Sequence, residues 1–186
     1  MLSQHIKEST KSAHQALEGT VVRQMKTIRS EADYADFLNN FYIYFNAIEK
    51  AILPYISTDV LHDYADRRKS DYIKADIESL GGTVENRSDI KVPEISNPLE
   101  ALSALYVLEG SVMGGPIIVQ MLNKYGIHKG TSFFSGYGED TGKMWGIFTA
   151  ALNAQGENPD THPKAAEIAN ETFSRFGDVF NTTQVS

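Results

Sequence analysis

The sequence of 186 residues contains no cysteine. Disulfides, thiolate metal sites, iron–sulfur clusters, cysteine nucleophiles and thiolate haem ligation are therefore excluded. Histidine, which occurs five times, is the only strong nitrogen ligand that remains. Positive charge is also scarce, because 17 basic residues stand against 24 acidic ones and give a formal net charge of -7. We therefore expect neither nucleic acid nor an anionic membrane as a main partner.

The sequence predicts neither a targeting segment nor an interdomain linker. The first eight residues, MLSQHIKE, have neither the basic start nor the apolar core of a signal peptide, so we expect a cytoplasmic protein. A hydrophobic content of 41% over this length is enough for one sizeable core. We predict a single domain over residues 1–186.

The chain has no convincing segment of alternating apolar residues, and helical spacing dominates instead. The sequence therefore predicts an all-α, multi-helix bundle with ligand sites between facing helices. Gly19 is read as the end of the first helix, and the aromatic residues of the third are assigned to the core. The predicted helices cover residues 2–18, 21–28, 30–53, 60–67, 71–80, 98–125, 139–153 and 163–180.

The segment YVLEGSVMGGP, residues 106–116, places three glycines in a long apolar helix. Each glycine costs roughly 1 kcal/mol relative to alanine in a helix interior, so the glycines need an explanation. One explanation is close helix packing, since Gly110 and Gly114 form a small-xxx-small step, and spacing alone favours it. The other is bare backbone placed against a flat ligand. Residues 101–122 approach the length of a membrane span, but the polar residues and the Gly-Gly-Pro break favour a buried core helix.

His14 lies near the edge of the apolar face of the first predicted helix. A lone histidine in this position is more often a core residue than a ligand. Glu18, four residues later, could hold one ring nitrogen and present the other to a metal. Lys7 lies about 10 Å away along the same side, which is comparable with the distance from a porphyrin iron to its carboxylates. Taken alone, Glu18 and Lys7 are each more simply interpreted as solvated side chains. Together with His14 and the glycine segment, they suggest a haem pocket.

Other chemistries receive less support. His5, His62, His128 and His162 lie at a helix end, in a polar helix or in loops, and we assign them no role. A carboxylate di-iron centre would need a Glu-x-x-His step, which this sequence lacks. No Ser/His/acid set is evident either, so hydrolase chemistry has no support.

Four blocks, read together, resemble the bacterial heme oxygenase family. They are TKSAHQALE at residues 10–18, YVLEGSVMGG at 106–115, FFSGYGEDTGKMW at 133–145, and Thr172–Phe173 with Phe176. Their order and spacing are compatible with that family from the first helix almost to the C-terminus. The resemblance implies a haem held between the first helix and the kinked glycine helix.

On the proximal side, the resemblance implies that His14 is the iron ligand. It also implies that Glu18 is the carboxylate that steadies this ligand and that Lys7 contacts a haem propionate. The remaining basic propionate contacts of the family do not carry over cleanly.

On the distal side, the resemblance implies catalytic roles for Gly110, Ser111 and Gly114, whose bare backbone would restrict how bound dioxygen tilts. Met113 and Gly115 would contact the haem. Ser111 departs from the aspartate of animal relatives, which places the proton-delivery network in question.

The activity implied is oxidative cleavage of haem, both cofactor and substrate, by dioxygen and electrons to biliverdin, Fe2+ and CO. The electrons would come from an external donor such as ferredoxin or a flavin reductase, since the chain has no flavin or nicotinamide fingerprint. Two alternatives remain open: a non-catalytic protein that binds or sequesters haem on the same fold, and a thiaminase-like relative without haem.

Overall fold

The computed structural model describes residues 1–183 and contains no strand within them. This confirms the all-α prediction, whereas residues 184–186 of the predicted domain lie outside the described part. The α-helices are α1 (Leu2–Ser9), α2 (Lys11–Met25), α3 (Glu31–Ile52), α4 (Ser70–Ser79), α5 (Pro98–Gly110), α6 (Gly115–Lys124), α7 (Thr141–Gln155) and α8 (His162–Thr183).

The N-terminal helical region differs from the prediction in two ways. It is divided at Thr10, which has φ −104° and ψ 4° and separates α1 from α2. The predicted stop at Gly19 is wrong, because α2 continues through it to Met25. The continuation has a physical reason: Leu17 and Val21 pack on the core on either side of Gly19, and Met25 is buried. This apolar stripe outweighs the local preference of glycine for helix ends.

Helix α3 runs through the core, as predicted. The Ser30 hydroxyl accepts a hydrogen bond from the Asp33 backbone N–H at 3.1 Å and so caps its first turn. The Tyr44 hydroxyl donates to the Thr172 carbonyl of α8 at 2.8 Å. The Phe41 ring meets aromatic rings of α8 and of the loop before α7 edge to face, a geometry that adds to the stability from burial. The assignment of these aromatics to the core is confirmed.

The predicted helix over residues 60–67 is wrong. The structure has turns and a short 3-10 helix at Tyr64–Asp66, after which Arg67 is extended with φ −83° and ψ 151°. This extended residue allows two consecutive arginines, Arg67 and Arg68, to enter the protein interior, where they are 2% and 5% exposed. The helix predicted over residues 71–80 is observed as α4, which begins one residue earlier at Ser70, and the Ser70 hydroxyl donates to Glu49.

The long helix predicted over residues 98–125 is observed as three pieces. Asn97 caps α5 by accepting from the Glu100 backbone N–H at 2.9 Å, with Pro98 in the first turn. A 3-10 turn over Ser111–Gly114 follows, and α6 then begins at Gly115. Pro116, in the first turn of α6, has no backbone N–H to donate to the preceding turn, which explains a break at this point. Helix α5 packs against α3, α7 and α8, so this segment is held by the core on several sides.

Residues Pro98–Lys124 have the length and hydropathy of a membrane span, with a mean hydropathy of 1.5 in the most apolar window. Half of that window is buried inside the fold. The core helix of a globular protein has the same properties, so the apolar character of this segment is accounted for by packing.

Candidate functional site

A cleft of about 610 Å³ lies between α2 and the broken α5–α6 segment. Its walls are mostly apolar, with Phe134 of the loop before α7, Trp145 of α7 and Phe173 of α8 completing them. Such a volume and lining are typical of sites that enclose a small organic ligand. The predicted position of a ligand site between facing helices therefore coincides with a real cavity.

Three of the predicted site residues bring polar chemistry to this cleft. Among its lining residues in the described chain, Lys7, His14 and Glu18 are those with an imidazole or a full charge. Helix α1 carries the lysine, and α2 carries the other two one turn apart. The break at Thr10 does not separate them from the common cavity.

The imidazole of His14 is paired on one side and stacked on the other. Its Nε2 lies 3.0 Å from the Glu18 carboxylate, and its ring stacks on Phe173 with centroids 5.2 Å apart and planes at 24°. The side chain remains 55% exposed. Pairing Nε2 with the carboxylate leaves Nδ1 as the ring nitrogen that this ion pair does not use. The geometry is that of an oriented and accessible imidazole.

The glycines of the broken segment have different surroundings. Gly110 and Gly114 line the cleft, and a Cβ added to Gly114 would meet nothing within 4 Å. Close helix packing at Gly114, the interpretation that spacing alone favours, is therefore wrong. A Cβ on Gly115 would instead overlap the Phe134 carbonyl oxygen and come 2.9 Å from its carbon. Gly115 faces the loop before α7 and is not among the cleft-lining residues.

The other two distal residues also line the cleft. Met113 lies at its mouth and is 48% exposed. The Ser111 hydroxyl donates to the Leu108 carbonyl at 2.6 Å and accepts from Arg68 Nη2, also at 2.6 Å. A hydroxyl has a single proton to donate, so in this arrangement Ser111 has none to offer a ligand.

Behind the broken segment, a buried group of charged residues was missed by the sequence analysis. Arg67 Nη1 binds the Glu109 carboxylate at 2.8 Å, its Nε binds Asp63 at 2.8 Å, and its Nη2 donates to the Met144 carbonyl at 2.9 Å. Burial alone would lower the pKa of Arg67, but the hydrogen bond to Asp63 and the charge of Glu109 raise it. The net result is a pKa above the usual value.

Arg68 and Tyr137 extend this group towards the cleft. The Tyr137 hydroxyl donates to Glu109 at 3.0 Å and accepts from the Arg68 backbone N–H at 3.1 Å. Burial raises the pKa of Tyr137. Burial lowers the pKa of Arg68, although the negative charge of Glu109 partly opposes this decrease. The signal available in the sequence was Glu109 itself, because a carboxylate within an apolar helix needs a buried cation.

The remaining histidines lie away from this cavity. His5 and His162 meet each other with ring centroids 5.5 Å apart, and His128 binds Asn123 at 3.0 Å. None of the four other histidines lines the cleft within the described residues. No group of three or more His, Asp or Glu side chains in residues 1–183 is arranged to hold a bare metal ion.

Known proteins resemble this chain in sequence and in fold. The chain is 26% identical to the heme oxygenase PigA of Pseudomonas aeruginosa over 184 residues, which cover 97% of this chain and 92% of that protein. The structure of the NO- and CO-bound heme oxygenase of Neisseria meningitidis superposes with a TM-score of 0.83 at 21% identity, covering 98% of this chain and 92% of that one. Heme oxygenase-1 of the cyanobacterium Synechocystis, in complex with heme, superposes with a TM-score of 0.76 at 18% identity, covering 99% and 92%.

The two solved structures show that the fold is shared. The sequence of this chain also matches the family itself. The model of the family described as Heme oxygenase matches residues 1–182, which is nearly the whole chain. The four blocks that suggested the resemblance all lie within that match. The chain therefore belongs to the heme oxygenase family.

Proposed function

We propose that this protein is a heme oxygenase that cleaves haem with dioxygen, using electrons from a separate donor, and yields biliverdin, Fe2+ and CO. The observation that carries the proposal is the His14–Glu18 pair in the same apolar cleft as the open backbone at Gly114. The family match supports it.

The residues of the cleft fit haem. An apolar cavity of about 610 Å³ suits a large flat macrocycle, and neutral imidazole is a common protein ligand of haem iron. Lys7 supplies a cation in the same cavity for a carboxylate. The open space beside Gly114 is volume that a side chain would have filled.

On the proximal side, the protein orients the ligand. Glu18 holds one nitrogen of His14, while Phe173 supports one face of the ring. This pairing selects the tautomer in which the opposite nitrogen is unprotonated and free to bind iron. When bound, haem supplies the iron that activates dioxygen and the porphyrin ring that is oxidised.

On the distal side, the protein contributes shape. Gly110 and Gly114 present backbone to the cleft, and the Ser111 proton is used within the protein. This wall therefore presents steric restriction and backbone dipoles, without an acidic side chain among its glycines. Phe134 and Trp145 contribute apolar surface to the neighbouring walls.

The electron donor and the cellular location belong to this proposal as well. A separate electron donor, such as ferredoxin or a flavin reductase, follows from the absence of flavin and nicotinamide fingerprints in the sequence. A cytoplasmic location fits such a donor.

Replacing Lys7 with alanine should weaken haem binding by up to about fivefold, since partly exposed ion pairs contribute roughly 0.2–1 kcal/mol. The same change should broaden the mixture of biliverdin isomers if Lys7 fixes the in-plane orientation of haem. The measurement is a haem titration followed by chromatography of the products. Lys11→Ala is the matched control, because Lys11 is an exposed lysine nearby that does not line the cleft. Equal effects of the two changes would remove Lys7 from the site.

The proposed function is tested by titrating the protein with haemin, then adding ascorbate in air with catalase present, and following the absorption spectrum. We expect a one-to-one Soret band that decays as a broad red biliverdin band grows, with CO released. A Soret band that persists with ascorbate and with reduced ferredoxin would instead indicate a haem-sequestering protein. Failure to form a Soret band would contradict haem binding and leave a haem-independent relative such as a thiaminase-like enzyme.

A further inference from the structure

The guanidinium of Arg68 connects the broken helical segment to the loop before α7. Its Nη2 donates to the Ser111 hydroxyl at 2.6 Å and to the Leu108 carbonyl at 3.3 Å. Its Nη1 donates to the Phe133 carbonyl at 3.0 Å, and the guanidinium lies 4.0 Å from the centroid of the Phe133 ring. One buried side chain thus holds the end of α5, the start of the 3-10 turn and the neighbouring loop.

The loop before α7 packs tightly against the glycine segment. The Phe134 carbonyl occupies the space where Gly115 would carry a Cβ. Gly136, with φ +61°, lies so close to the Val112 side chain that a Cβ there would overlap it. A displacement of the loop would therefore be transmitted to the 3-10 turn.

Arg68 itself does not line the cleft, and it is only 5% exposed. Its contact with Ser111 nevertheless affects whether the distal wall offers a free hydroxyl to a ligand. The Ser111 oxygen accepts from Arg68 while its proton goes to Leu108, so both hydroxyl functions are used within the protein. Without the arginine, the Ser111 oxygen would lose its charged donor, and the hydrogen bond to Leu108 alone would hold the hydroxyl against rotation towards the cleft.

We propose that Arg68 is a positioning residue that holds the Ser111–Gly114 turn against the loop and keeps the Ser111 hydroxyl bound within the protein. The distal wall then remains a surface of backbone, whose shape selects the porphyrin carbon that is attacked. This assignment rests on the proposed function for its catalytic consequence, but the ordering of the turn is a property of the ligand-free protein.

The first test is amide hydrogen exchange in the ligand-free protein. Arg68→Met should accelerate exchange over residues 110–115 about tenfold, because a hydrogen bond from a charged donor is lost at each end of the bridge. Exchange in α3 should remain unchanged. Arg87→Met is the control, since Arg87 forms an exposed ion pair with Asp89. A uniform increase throughout the protein, or none in this segment, would overturn the assignment.

The second test is a double-mutant cycle with Ser111→Ala, read as the ratio of biliverdin isomers from the haem-loaded enzyme. Arg68→Met should change that ratio, and the change should be smaller in the Ser111→Ala background, because no hydroxyl remains to be released. An identical change in both backgrounds would overturn the coupling between the two side chains. Arg68→Lys, which retains a single charged donor nitrogen, should restore part of the wild-type ratio.

Because Arg68 is buried, a variant in which methionine replaces it could fail to fold. Arg68→Lys and Ser111→Ala then carry the exchange measurement, and local acceleration in both would still support the proposal. Exchange unchanged in both would refute it. A protein that shows the predicted exchange but does not bind haem would retain the positioning role and lose only the proposed function.

Discussion

Replacing His14 with alanine should abolish the normal Soret spectrum of the haem complex and its conversion to biliverdin. His14 is the one imidazole among the cleft-lining residues of the described chain, so no neighbouring histidine can take over as iron ligand. The fold should persist, because the side chain is 55% exposed and its polar partner, Glu18, is also largely exposed. We expect the free energy of unfolding to change by no more than about 1 kcal/mol.

The measurement is the absorption spectrum of the haem-loaded variant, with circular dichroism for helix content. Added imidazole should restore a histidine-like spectrum, since the cavity left by the side chain admits a free ligand. His5→Ala serves as the control, because His5 lies on α1 and contacts His162 rather than the cleft. An unchanged Soret band in His14→Ala, or an equal loss in His5→Ala, would refute the assignment of the iron ligand.

The substitution Glu18→Gln tests the orientation of the His14 ring separately from its binding to the haem iron. The imidazole remains, but its paired carboxylate becomes a neutral amide. Loss of such a partner typically weakens metal binding by about 10- to 100-fold. Haem should therefore still bind through His14 with lower affinity, whereas an affinity equal to that of the wild type would exclude a role for Glu18.

The sequence predicted those helices whose signals are local. The third predicted helix, residues 30–53, matches α3, which Ser30 caps, and the start predicted at residue 98 matches α5, which begins at Pro98. These signals depend on hydrogen bonds within one turn of helix. Gly19 misled the prediction because its local preference is weaker than the apolar contacts of the residues around it.

The site residues that could be predicted are likewise those that lie close together in the sequence. His14, Glu18 and Lys7 lie within one stretch of chain, and the structure places all three in one cleft. The pair formed by Arg67 and Glu109 joins residues 42 positions apart, and the contact of Arg68 with Ser111 spans 43. No periodicity in the sequence encodes such contacts. They also explain why residues 60–67 do not form the predicted helix, since burying both arginines requires an extended backbone at Arg67.

Gly115→Ala should be among the most destabilising single substitutions in this segment. The new methyl group would overlap the Phe134 carbonyl, and a backbone group cannot move aside as a flexible side chain can. Overpacking of this kind costs about 1–3 kcal/mol and occasionally more. The measurement is the free energy of unfolding in urea, and a loss below about 0.5 kcal/mol would contradict the close contact.

Gly114→Ala, one residue earlier, is the matched comparison. Its methyl group would enter open space in the cleft, so the unfolding free energy should stay constant or rise by up to about 1 kcal/mol from the better helix propensity of alanine. Haem affinity and the isomer ratio of the product should change instead, because the methyl group occupies volume reserved for the ligand.

The two substitutions are chemically identical and adjacent, so opposite outcomes would separate the two explanations for glycine in this helix. Stability lost at Gly115 alone assigns that glycine to packing against the loop. Haem binding altered at Gly114 without loss of stability assigns that glycine to the ligand. A loss of stability at Gly114 equal to that at Gly115 would mean that the cleft is closed by packing in solution, and the distal wall would then have to be sought elsewhere.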